Sequence, residues 1–192
     1  MKKRVLLLSA IASIFIGCGN PENKIAKVVD SEVEGLEYQC AGMIEYTDKN
    51  GTLSCAHMPL AFKIGEIRLG HIYKIPTDGI ILPQDIVGVD RKNITDKNVL
   101  KLTVILQSID SDKNPENGIT ISKETRKRLS QTPINIKKMN LDEIKEIMES
   151  ELGDLNFTKP VKSLLHLNRS MRRFNIKEKA KLTPEELEKL EY

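Results

Sequence analysis

With 192 residues, 40% of them apolar, the chain has room for about one domain and enough hydrophobic material for a core. Its formal charge of +3 vanishes with its first residues, because 30 basic residues less Lys2, Lys3 and Arg4 face 27 acidic ones, which argues against bulk nucleic-acid binding or an electrostatic grip on anionic lipid. Aromatics make up only 4% and tryptophan is absent, which argues against an aromatic-lined carbohydrate cleft or an aromatic-rich binding hot spot.

Behind the cationic Lys2, Lys3 and Arg4, residues 5–16 form an apolar run broken only by the small Ser9, Ala10, Ala12 and Ser13. This is the apolar region of a secretory signal, too short to span a bilayer as a mature helix. The run closes on Phe15-Ile16-Gly17-Cys18, which resembles the lipobox of bacterial lipoproteins. The resemblance implies removal of residues 1–17, a diacylglyceryl thioether on Cys18 and an acyl chain on its amine. Several chains together anchor firmly, so the implied location is the cell envelope and the implied partner is a membrane. Gly19 stands where aspartate signals inner-membrane retention in some enteric bacteria, which points to the outer membrane.

Residues 18–30 are polar, carry Pro21, Lys24 and Lys27, and have no sustained period, so they read as a flexible tether. Residues 33–40 alternate with Leu36, Tyr38 and Cys40 on one face, and residues 43–46 continue in strand formers. Asp48-Lys49-Asn50-Gly51 is a turn and residues 52–55 return, giving a meander. With Cys18 lipidated, Cys40 and Cys55 form an even pair in an oxidising space and are expected to be disulfide-bonded. A soft metal site using Cys55, His57, Met58 and Met43 is the alternative.

A two-residue turn at Gly65-Glu66 would set Ile64 opposite Ile67, Lys63 opposite Arg68, Phe62 opposite Leu69 and Leu60 opposite His71. All the large apolar side chains then share one face, with His71 half-buried at the end of their stripe. Thr77-Asp78-Gly79 is another turn, and residues 80–82 before Pro83 read as an edge or bridging strand. Val99, Leu102, Leu106 and Ile109 define the most buried helix, capped by Asp96 or Thr95.

The next loop, Asp110-Ser111-Asp112-Lys113-Asn114, places oxygen side chains at alternate positions as in the first half of a calcium loop. Asp110, Asp112 and Asn114 are therefore candidate calcium ligands, beside a reading in which they bond their own backbone in a helix-ending turn. Ser122 caps a short basic helix, Asn140 with Glu143 forms a capping box for residues 141–152, and Pro160 opens a third helix. A cationic run at Arg169, Arg172, Arg173 and Lys177 follows, and Thr183 starts a last short helix.

Three groups of motifs now stand in order. Gly35-Leu36-x-Tyr38-x-Cys40 leads to Thr47-Asp48-x-Asn50-Gly51-Thr52-x-x-Cys55 and then Phe62-x-Ile64-Gly65-x-Ile67-x-Leu69-Gly70. After Pro83-x-Asp85-Ile86-x-Gly88 comes Leu106-Gln107-Ser108-Ile109-Asp110-x-Asp112-x-Asn114-Pro115, and His166-Leu167-Asn168 closes the series. Together they resemble a module that recurs in exported lipoproteins and surface proteins of proteobacteria. The resemblance spans about residues 30–174, implies envelope location and one compact domain, and carries no catalytic residue.

The expected class is α+β: a small antiparallel, sandwich-like sheet part over 31–90 packed with three or four helices over 91–174 as one domain, then a charged tail over 175–192 with a short helix. Three histidines lie far apart, no Gly-x-Ser-x-Gly elbow or phosphate loop occurs, and no free cysteine remains as a nucleophile. The leading expectation is a non-enzymatic, lipid-anchored envelope module, without cofactor, that meets a protein partner or serves as a structural accessory. A calcium-binding adhesion module is the second class. An envelope hydrolase using Asp85, Asp90, Asp110 and Asp112 is the third.

Overall fold

The computed structural model describes residues 22–153, 155–177, 182, 183 and 185, so the leader, Cys18 and most of the short helix expected in the tail lie outside the described residues. The first described residues correct the tether. Lys24–Val28 is strand β1, antiparallel to Thr52–Cys55 (β5) and parallel to Ile80–Ile81 (β8), in a sheet ordered β5-β1-β8. Its lysines suggested solvated coil, yet Ala26, Val28 and Val29 bury their side chains completely enough to hold the segment in the body. Residues 24–30, expected in the tether, therefore belong to the folded body.

Between these strands lie Val33–Glu34 (β2), Glu37–Cys40 (β3) and Met43–Tyr46 (β4). The expected strands form, but the meander does not. β4 pairs with β3, whereas β5 leaves that sheet and pairs with β1, so Lys24 faces Cys55 and Lys27 faces Thr52. The turn at residues 48–51 forms through Asp48, whose Oδ1 accepts from the Asn50 and Thr52 amides. It redirects the chain to another sheet. Cys40 and Cys55 are disulfide-bonded with their Cα atoms 5.9 Å apart, so the bridge ties β3 of one sheet to β5 of the other. Both sulfurs are thereby consumed, which removes the soft metal site expected as an alternative.

Leu60–Ile64 (β6) and Ile67–Ile72 (β7) form the expected hairpin, with Ile64 opposite Ile67 and Lys63 opposite Arg68. Beyond that pair a bulge shifts the register, so Phe62 meets Gly70, Ala61 meets His71 and Leu60 meets Ile72. Ile72 takes the buried end of the stripe. His71 is turned to solvent, edge-on to the Tyr73 ring at 4.8 Å, instead of being half-buried. The bulge follows from packing on the next element. Pro83–Val87 folds as a short helix, α1, where only a strand end was expected, and its Ile86 carbonyl lies so close to Gly70 that no Cβ would fit.

Lys97–Ser108 (α2) is the buried helix, capped by Asp96, whose Oδ1 accepts from the Asn98 and Val99 amides. Val99, Leu102, Val104, Ile105 and Leu106 are each 0% exposed, and burying side chains of this size contributes about 1.5–3 kcal/mol apiece. After it, Ile119–Thr120 (β9) pairs in parallel with β2, and Ile134–Asn135 (β10) pairs in parallel with β7. The larger sheet thus runs β10-β7-β6-β3-β4. Lys123–Arg128 (α3), Leu141–Leu152 (α4) and Pro160–Arg173 (α5) complete an α+β fold, with Ser122, the Asn140–Glu143 box and Pro160 at their starts as expected. α5 packs along α2. Past α5, Asn175 adopts φ 56° and the Ile176 amide donates to the Met171 carbonyl, a Schellman closure that carries the body to Ile176, two residues beyond the expected limit.

Candidate functional site

The residues singled out from the sequence end up in separate places. Asp85 and Asp90 lie around the loop before α2, Asp110 and Asp112 in the loop after it. Asp85 grips Arg91 through Nη2 at 2.9 Å and accepts from the Leu82 amide, while Asp78 pairs with Nη1 of the same arginine at 2.5 Å. These two carboxylates raise the Arg91 guanidinium further against the opposing effect of its burial. Asp90 accepts from the Lys92 amide. Each of these aspartates is engaged in holding a loop.

In the Asp110 loop, Asp110 is buried and its Oδ1 accepts from the Thr120 amide at 2.9 Å, pinning the start of the loop to β9. Asp112 is exposed, and its oxygens accept from the Asn114 amide and from Asn117 Nδ2. Burial, foremost, pushes the Asp110 carboxyl up, whereas the Asn117 side chain pulls that of Asp112 down. Asn114 contributes its backbone N–H to this set, and Lys113 holds φ 60°. Among the described residues no three His, Cys, Asp or Glu side chains converge as a metal site.

The densest polar constellation is one that the sequence reading passed over. Ser163, His166 and Ser170 recur at helical spacing along the face of α5 that meets α2, where Thr103 and Gln107 present a matching polar pair one turn apart. Into the seam projects a tight turn closed by the Val29–Glu32 bridge, with Asp30 and Ser31 at its tip and Ser31 at φ 61°. Thr103 Oγ1 meets Ser163 Oγ at 3.1 Å. Gln107 Nε2 donates to both Asp30 oxygens and to the Ser163 carbonyl, and the Ser31 amide donates to Ser170 Oγ.

His166 is the hub. Its Nε2 lies 3.0 Å from Ser31 Oγ and 3.9 Å from Asp30 Oδ1, and its Nδ1 lies 3.2 Å from Glu116 Oε1. A carboxylate only accepts, so Nδ1 carries the hydrogen that faces Glu116. At the surface Arg169 pairs with Glu116 and Arg173 with Glu32, both at 2.5 Å. Those contacts hold the Glu116 carboxyl below its usual range, Arg169 foremost and His166 next. Asp30 is the reverse case. Burial dominates over the opposing His166 and Gln107 and pushes its carboxyl up to about 6.

Ser31, His166 and Glu116 have the order of a nucleophile, a base and an orienting acid. Ser31 is only 1% exposed and His166 2%, so this set is closed off from solvent. What the arrangement does is fasten three chain segments, the 29–32 turn, the Glu116 loop and α5, through directional bonds inside the core. The signal for it was the polar stripe at 163, 166 and 170 opposite 103 and 107, which reads as a solvated face when each helix is taken alone.

Among the described residues, five large apolar side chains stand out in solvent: Ile25, Met43, Ile44, Tyr46 and Tyr73. Tyr46 is covered on one side by the Arg126 guanidinium, 4.5 Å from its ring centre. Compared with protein-family models, with curated proteins and with solved structures, the chain matches none.

Proposed function

We propose that this chain is a lipid-anchored protein of the cell envelope, held in the outer membrane by acyl chains on Cys18, and that its body is a non-enzymatic binding or structural accessory module. The observation that carries this reading is the leader, in which Lys2, Lys3 and Arg4, an apolar run and Gly17-Cys18 follow one another at the spacing of a lipoprotein signal. The Cys40–Cys55 disulfide supports it, because such bridges persist in oxidising compartments. The non-enzymatic role draws support from the burial of Ser31 and His166 and from the engagement of Asp85, Asp90 and Asp112 in loop contacts. The partner class expected for such a body is another envelope protein. Growth with radiolabelled palmitate is expected to label the chain and to leave the Cys18→Ser variant unlabelled. An unlabelled chain whose full-length precursor stays in the cytosol would overturn the reading.

A further inference from the structure

Among the described residues, four of the five exposed large apolar side chains lie at one end of the body, the end at which β1 begins. Register places them there. Lys24, the first residue of β1, faces Cys55, Cys55 is bonded to Cys40, and Cys40 faces Met43 across the β3–β4 turn. Two strands over, Leu60 faces Ile72, which brings Tyr73 to the same edge, about 14 Å from Met43 by the usual strand spacing. Ile25 is 68% exposed, Met43 62%, Ile44 47% and Tyr73 73%.

Resting on the lipid-anchor reading above, we propose that this end of the body lies against the bilayer that holds the anchor, with Ile25, Met43, Ile44 and Tyr73 entering the headgroup boundary. Covalent length supplies the constraint. From Cys18 to Lys24 the chain reaches at most about 20 Å even when fully extended, so β1 starts within reach of the lipid surface. A tyrosine beside aliphatic side chains is the composition that the boundary favours, where an apolar ring is buried and its hydroxyl stays wet. In the sequence Lys24 and Lys74 adjoin Ile25 and Tyr73 while Glu22 and Glu45 stand within three residues of Ile25 and Ile44, so the formal charge of these segments balances and the contact is apolar in nature and little affected by salt. The opposite end, with the Gly65 turn and Lys123, Arg126 and Lys127 of α3, faces away from the membrane.

The absence of native tryptophan makes the test direct. Full-length chain, lipidated in cells and reconstituted into phosphatidylethanolamine/phosphatidylglycerol vesicles, is compared as Met43→Trp, Tyr73→Trp and Tyr46→Trp. Brominated acyl chains are expected to remove about half of the fluorescence in the first two and little in the third, as interfacial burial requires. In the unsubstituted chain, acylation of Lys74 is expected to slow on reconstitution while that of Lys127 is unchanged. Lipidated chain that floats with vesicles yet shows neither quenching nor Lys74 protection overturns the docking and leaves the anchor standing, the result expected if this end meets a protein. Chain that carries no lipid overturns both.

Discussion

Asp30 is the residue whose environment most opposes its chemistry. Its carboxyl titrates at about 6 in the folded chain against an ordinary 3.8, so the native state binds the proton more tightly than the unfolded one. The stability it contributes is complete below pH 3.8 and is lost as pH rises through about 6, a swing of about 3 kcal/mol for an ordinary-to-folded gap of this size. Asp30→Asn keeps an oxygen for Gln107 Nε2 and removes the buried charge. The variant is expected to be more stable than the parent by about 2 kcal/mol at pH 7.5 and equal to it near pH 4. Urea titrations at the two pH values check this, and a difference that does not change with pH would show that the Asp30 charge is not the cause. Asp30 was invisible as a functional position in the sequence because nothing local marks it. Its burial comes from α2 and α5, which lie far along the chain.

At the scale of elements, close approach between β7 and α1 decides the register of the β6–β7 hairpin. A methyl group at Gly70 would enter the Ile86 carbonyl, which is backbone and cannot swing away. Gly70→Ala is expected to destabilise by roughly 2–4 kcal/mol, as overpacking against immovable atoms does. Gly79→Ala meets nothing within 4 Å and suffers only from its φ of 71°, so about 1 kcal/mol is expected there. Thermal melts of the two variants side by side provide the measurement, and equal losses would mean that conformation alone, not the contact, governs Gly70. The same contrast explains which elements the sequence disclosed. Asp96, Ser122, the Asn140–Glu143 box and Pro160 announce helix starts because each bonds or restrains residues within one turn. The first half of the hairpin was legible for the same reason, since Gly65-Glu66 sets Ile64 opposite Ile67. The bulge, the true partner of β5 and the strand at Lys24–Val28 were not, because each depends on a surface supplied by distant residues.

The whole molecule is closed by its second half. β9 pairs with β2, β10 extends the larger sheet next to β7, and Glu116 reaches α5 through His166 and Arg169. Residues 22–90 alone would leave these edges open and expose the apolar surface that α2 covers. The body is therefore expected to unfold in one transition, with calorimetric and van't Hoff enthalpies equal, as small domains with a shared core do. The Cys40–Cys55 bridge links two sheets across 15 residues and acts on that single transition. Replacing both cysteines, Cys40→Ser with Cys55→Ser, is expected to lower stability by about 3 kcal/mol, chiefly by freeing the unfolded chain, without splitting the melt. Scanning calorimetry of the oxidised and the doubly substituted chain distinguishes the cases. If two transitions appear in the oxidised chain, the sheets and the helices are separate cooperative units. If they appear only once the bridge is gone, the disulfide itself, and not the strands donated by the second half, makes the body one.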